Sequence, residues 1–109
     1  MLEPLLESEP KEQVLLYVLT HGESYPREIA RALGRNVNTV QYQLLKLEGG
    51  GVLYSRLKGR IRLFGFDPRY PFKKELEALL EKTLKFVPEA ERKRLYTPRL
   101  RPRRTGKPL

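Results

Sequence analysis

Apolar positions along this 109-residue chain change period more than once. Between Ser8 and Gly22 they recur as Val14, Leu15, Val18 and Leu19, the three-and-four spacing of one helical face. Ser8 is a capping residue. Glu9, Pro10 and Glu12 suit a first turn, where acids complement exposed N–H groups and proline gives up no hydrogen bond. His21-Gly22 closes this helix, and Met1–Glu7 ahead of it is a short apolar-acidic arm with Leu2, Leu5 and Leu6. Pro26 opens a second helix with Glu28 in its first turn; Ile29, Ala30 and Leu33 form its buried stripe, and Gly34 stops it. After the tight turn Gly34-Arg35-Asn36, with Asn36 as cap, a third helix is predicted over Asn38–Leu47. Val37, Val40, Leu44 and Leu47 stand three, four and three apart, so they share the face that points into the core.

At Gly49-Gly50-Gly51 the helix ends, and the period then becomes two. Arg60-Ile61-Arg62-Leu63 alternates strictly, as a strand with one wet face does. The spacing predicts a hairpin of Val52–Leu57 and Arg60–Phe64 around Lys58-Gly59, where glycine supplies a positive φ. Asp67-Pro68 and Tyr70-Pro71 break the strand off. From Phe72 the helical period returns. Phe72, Leu76, Leu79, Leu80, Thr83 and Val87 lie on one stripe, with Lys73, Lys74, Glu77, Glu81, Lys82 and Lys85 off it. Pro88 interrupts, Glu89–Leu95 adds a further turn or two of helix, and 96–109 has no period and reads as extended or disordered. The predicted class is α+β, in the order α-α-α-β-β-α, with a short strand near Glu23–Tyr25 pairing with the hairpin.

Charge changes this picture at one end. Of the net +9, residues 92–109 supply +8 through Arg92, Lys93, Arg94, Arg99, Arg101, Arg103, Arg104 and Lys107, with no acid among them. The rest of the chain is nearly neutral, and the tail favours a polyanion: DNA, RNA or an acidic membrane surface. No apolar run is long enough to span a membrane, and no basic leader precedes an apolar segment, so a cytoplasmic location is expected. The absence of cysteine excludes disulfides, thiolate catalysis and cysteine-based metal sensing. With one histidine, one aspartate, no phosphate-loop sequence and no GxGxxG, no enzyme activity, cofactor or metal is expected.

If the valine–leucine stripe of the third helix faces inward, its opposite face presents Asn38, Gln41, Tyr42 and Leu45. Asn and Gln amides can read an adenine edge bidentately, and tyrosine can bond a phosphate or pack on a thymine methyl. An ordinary solvated face carries Glu and Lys instead. Asn38, Gln41 and Tyr42 are therefore the candidate base-reading residues of a helix lying in a DNA major groove. Thr39, Gln43 and Lys46 on its flanks, Arg35 in the turn, and Arg56, Lys58, Arg60 and Arg62 on the hairpin are candidate phosphate contacts. Cations also protect a sheet edge, but four of one sign exceed that need. Arg99, Arg101, Arg103, Arg104 and Lys107 of the tail would add affinity. Phe72, Leu76, Leu79, Leu80 and Thr83, with the arm leucines, offer more apolar surface than so small a domain buries alone. A homodimer with its two third helices about one DNA turn apart is expected. The alternative readings are an RNA-binding module and a protein-interaction module; Tyr54, Phe64, Phe66, Tyr70 and Phe72 could stack on RNA bases, but core and helix packing is the favoured reading of them.

The run Glu28-Ile29-Ala30-Arg31-Ala32-Leu33-Gly34, then Asn36-Val37-Asn38-Thr39-Val40, then Leu44-Leu45-Lys46-Leu47-Glu48, resembles the winged helix-turn-helix family. Within that family it is similar to the ArsR-like regulators of bacteria and archaea, and Gly51-Val52-Leu53 resembles their approach to the wing. The resemblance spans Val14 to about Phe66 and implies a three-helix core with a β-hairpin wing. It also implies a homodimeric, double-stranded-DNA-binding transcription regulator with its third helix in the major groove. Many such regulators sense metals through Cys and His clusters, a property that does not carry over to a chain with His21 alone. Similar winged helices also stand beside small nucleotidyltransferases, whose motifs are missing here, so that enzyme would be a separate partner. The organisation expected is a DNA-binding domain with its arm over 1–66, a dimerising helical extension over 67–95, and a basic tail over 96–109.

Overall fold

The computed structural model describes residues 1–98. The tail candidates Arg99, Arg101, Arg103, Arg104 and Lys107 lie outside the described residues. The chain runs α1 (Glu3–Leu6), α2 (Glu9–His21), α3 (Pro26–Leu33), α4 (Val37–Gly49), β1 (Leu53–Lys58), β2 (Ile61–Phe66), α5 (Lys73–Leu84) and α6 (Glu89–Leu95).

Local chemistry sets the helix ends. The Ser8 hydroxyl accepts the Lys11 N–H at 3.0 Å, and the Asn36 carboxamide oxygen accepts the Asn38 N–H at 2.7 Å. Gly34 leaves α3 in the left-handed region, φ 66°, with its N–H on the Ala30 and Arg31 carbonyls. The arm is itself ordered. It makes one helical turn, buries Leu2, and donates the Leu2 N–H to the buried Glu12 carboxylate at 3.0 Å.

The core gathers Val14, Leu15, Leu16 and Val18 of α2, Ile29 and Ala30 of α3, and Val40, Leu44 and Leu47 of α4. Leu53 and Phe64 join it from the hairpin, Leu80 from α5, and Leu95 and Tyr96 from the far end. Five successive residues of α2, Val14 to Val18, are buried, because α4 packs on one side of it and α5 on another. One stripe from the periodicity therefore understated its burial.

The hairpin register places Lys58 opposite Ile61, so the two-residue turn is Gly59-Arg60 rather than Lys58-Gly59. Gly59, φ 64°, takes the first central position, the glycine placement of a type II′ turn, which matches the right-handed twist of the strands. The expected short strand exists as a single antiparallel bridge. Ser24 N–H donates to the Phe64 carbonyl at 3.1 Å, and Phe64 N–H to the Ser24 carbonyl at 2.8 Å. This seats the base of the hairpin on the α2–α3 loop. Ile61 pairs with Lys58 on the hairpin face opposite the buried Leu53 and Phe64, so it stays 41% exposed despite the alternating pattern.

Candidate nucleic-acid interface

The outer face of α4 carries Asn38, Gln41, Tyr42 and Leu45, all exposed, Tyr42 at 59% and Leu45 at 48%. The Lys46 ammonium stands 5.5 Å from the Tyr42 ring centre, a cation–π contact that orders both side chains on the helix flank. Thr39 is half-buried beside this face. Gln43 is not on it. It is only 8% exposed, and its Oε1 has no hydrogen-bond partner among the described residues. The expectation that it meets a phosphate is corrected: it lies three residues after Val40 and four before Leu47, on the inward stripe. That spacing was visible in the sequence and outweighs the polarity of the side chain.

Arg35 is partly buried and paired with α2. Its Nε donates to Gln13 Oε1 at 2.5 Å and its Nη2 to Glu9 Oε1 at 3.1 Å. These bonds tie the α3–α4 turn to α2.

The four wing cations divide by face. On one face, Arg56 grips Glu23 of the α2–α3 loop in a two-point pair, Nε to Oε2 at 2.8 Å and Nη2 to Oε1 at 2.7 Å. The Tyr54 hydroxyl also donates to Glu23 Oε2. The Arg56 guanidinium, with Tyr54 second, pulls the Glu23 carboxyl down to a pKa of about 2. Arg56 is thus paired within the chain, with its side chain still half-exposed. On the other face, Arg62 Nη1 donates to Ser55 Oγ at 3.0 Å, and Ser55 Oγ donates to Glu48 Oε2 at 2.6 Å. The side chains of Lys58 and Arg60 are exposed at the tip and make no hydrogen bond or ion pair among the described residues. A cleft of about 590 Å³ separates the wing from the α2–α3 loop; Arg56, Lys58, Ile61, Tyr25 and Pro98, the last described residue, all line it.

Sequence reasoning passed over Glu23, Tyr54, Ser55 and Gly65 as a working group. Gly65 was the available signal, because glycine inside a strand marks a close approach. A Cβ there would stand 2.8 Å from the Tyr54 hydroxyl and 3.0 Å from its ring carbons. The bare backbone lets the tyrosine lie across the strand and reach Glu23.

The α5 stripe splits as well. Leu80 and Thr83, expected at a dimer surface, are buried in the chain's own core at 0% and 3% exposure, and that expectation is corrected. Leu76 packs against the same core. Phe72 at 62% and Leu79 at 36% remain outward, joined by Phe86 at 60%, with Met1 and Leu5 exposed on the arm. Among the described residues no group of three or more His, Cys, Asp or Glu could hold a metal ion, and no helix is long and apolar enough to cross a membrane.

Three packed helices, the turn between α3 and α4, and a hairpin behind α4 define a winged helix-turn-helix fold. The chain matches no protein-family model and no curated protein. Among solved structures it is similar to the homodimeric winged helix-turn-helix DNA-binding domain of Mb0332 from Mycobacterium bovis, a possible ArsR-family transcriptional regulator. That likeness has a TM-score of 0.59 at 25% identity, over 82% of this chain and 80% of that one. It is also similar to MepR, a transcription regulator of the Staphylococcus aureus multidrug efflux pump MepA, with a TM-score of 0.55 at 23% identity over 84% of this chain and 74% of that one. A mutant of S. aureus MepR bound to an oligodeoxyribonucleotide is similar too, with a TM-score of 0.51 at 22% identity, over 84% and 74% of the two chains. The α+β winged helix expected from the residue pattern is the fold observed.

Proposed function

We propose that this chain is a sequence-specific double-stranded DNA-binding protein that acts as a homodimeric transcriptional regulator in the cytoplasm, without catalysis of its own. The carrying observation is the outer face of α4. Asn38, Gln41 and Tyr42 stand exposed there with no acid between them, flanked by Lys46, and the wing that follows α4 carries the exposed cations Lys58, Arg60 and Arg62. Amides and a tyrosine on a protruding helix suit base edges in a major groove, and cations on a hairpin beside it suit the phosphates that border that groove. The similarity to a homodimeric DNA-binding domain and to a regulator bound to an oligodeoxyribonucleotide supports the same reading.

Residues 1–66 make up the DNA-binding unit in this reading, and 67–95 the extension through which two copies pair. The basic tail adds phosphate contacts. Pro98, the last described residue, lines the same cleft as Lys58 of the wing. A dimer seated on an inverted repeat blocks a promoter by occupying it.

Selection of bound duplexes from a random DNA pool, with RNA as competitor, tests the proposal. The expected result is an enriched sequence made of two inverted half-sites about one helical turn apart. A pool that remains random after repeated rounds, or binding that RNA removes and duplex DNA does not, would overturn it.

A further inference from the structure

Glu48 stands where two general rules disfavour an acid. It lies in the last turn of α4, where the helix dipole favours cations, and it borders a surface proposed to meet phosphates. Its geometry supplies the reason. Glu48 Oε2 accepts the Ser55 hydroxyl at 2.6 Å. A serine has one O–H, so with that proton committed its oxygen presents only lone pairs. Arg62 Nη1 donates into them at 3.0 Å. Ser55 pairs with Phe64 and Arg62 with Leu57, so the two side chains sit diagonally on one face of the hairpin. Among the described residues Glu48 makes no direct ion pair with Arg62 and reaches it through the serine hydroxyl. Arg62 is exposed, and among the described residues only one of its five side-chain N–H groups is used. Arg56, on the opposite face, spends its charge on Glu23.

We propose that Glu48 and Ser55 are positioning residues, which hold Arg62 on the α4 side of the wing so that its remaining N–H groups meet a DNA phosphate beside the groove that α4 enters. The inference rests on the DNA-binding reading above. It makes the end of the reading helix and one wing cation a single geometric unit: Glu48 sets the direction of the serine proton, the serine oxygen sets the direction of the guanidinium, and the guanidinium sets the phosphate.

The test is a double-mutant cycle on one selected duplex, with log K followed against log salt for the full chain. Ser55→Ala is expected to weaken binding about three- to tenfold. Arg62→Ala is expected to weaken it at least as much and to lower the salt slope by about 0.9, the value of one phosphate. In the Arg62→Ala background, Ser55→Ala is expected to cost nothing further. Ser55→Thr keeps the hydroxyl and is expected to bind as the wild type does, which separates a lost hydrogen bond from a disturbed strand. An equal loss from Ser55→Ala with or without Arg62 overturns the positioning role, as does wild-type binding by Ser55→Ala. If Arg62→Ala binds normally while Asn38→Ala is impaired, the positioning role falls and the DNA reading stands. If the wild type binds no duplex, both fall together.

Discussion

Gln43 buries a carboxamide oxygen that finds no donor among the described residues. Its side chain is close in length to methionine, and a buried polar group without a partner costs free energy that an apolar group of the same shape does not. Gln43→Met is therefore expected to stabilise the fold by about 1 kcal/mol, read from the midpoint of chemical denaturation, with affinity for DNA unchanged. On the opposite side of the same helix, Asn38→Ala and Gln41→Ala are each expected to cost about 1–3 kcal/mol on the preferred duplex and almost nothing on random DNA. Equal losses on both duplexes would mean that these amides read no base. Glu23 gives a pH signature. Arg56 and Tyr54 hold its carboxyl near a pKa of 2, below the ordinary glutamate value. The folded state therefore binds this proton less readily than the unfolded chain does. The stabilisation is fully present above about pH 4.5 and is lost as pH falls towards 2. Wild type and Glu23→Gln, unfolded by denaturant across that window, should differ most at neutral pH and converge at the acid end.

At the scale of elements, the hairpin is held at three places: the Ser24–Phe64 bridge, the Glu23 cluster and the Glu48–Ser55 bond. Gly65→Ala tests the second of them. The new methyl would meet the Tyr54 ring at 3.0 Å, so the tyrosine must move and release Glu23. A destabilisation of about 1–3 kcal/mol is expected, seen as a lowered thermal midpoint. The helices of this fold were legible because capping residues and apolar spacing agree at each of them. Ser8, Pro26, Gly34 and Asn36 all mark ends that the structure keeps. The hairpin turn slipped by one residue, because Lys58-Gly59 and Gly59-Arg60 both contain the glycine, and only the pairing of Lys58 with Ile61 chooses between them. The exposure of Asn38, Gln41 and Tyr42 was legible, because it depends on one helix face. Contacts were hidden wherever a side chain's partner is distant in sequence. Nothing local to Arg56 announces Glu23, and nothing local to Arg35 announces Glu9 and Gln13.

At the scale of the whole molecule, the apolar surface left over after folding is narrower than the periodicity of α5 suggested. Leu80 and Thr83 belong to the core, whereas Phe72, Leu79 and Phe86 stay outward with Met1 and Leu5. This difference separates two substitutions that look alike in sequence. Leu79→Glu is expected to give folded monomers with weakened DNA binding, while Leu80→Glu puts a charge at a fully buried position and is expected to unfold the domain. Sedimentation velocity at micromolar concentration, with a folded far-ultraviolet spectrum as control, distinguishes them. A wild type that sediments as a monomer under those conditions would sink the dimer.

The tyrosine that lies across Gly65 has a thermodynamic consequence. A hairpin that waits in solution as a loose ribbon must surrender its conformational entropy on meeting a ligand, and the observed affinity is lower by that amount. Here the Tyr54 hydroxyl, the Glu23 carboxylate and the Arg56 guanidinium have already fixed the ribbon against the body of the protein. Association then requires little further ordering of the wing. Its heat-capacity change should follow the apolar area covered, without the excess that marks folding coupled to binding.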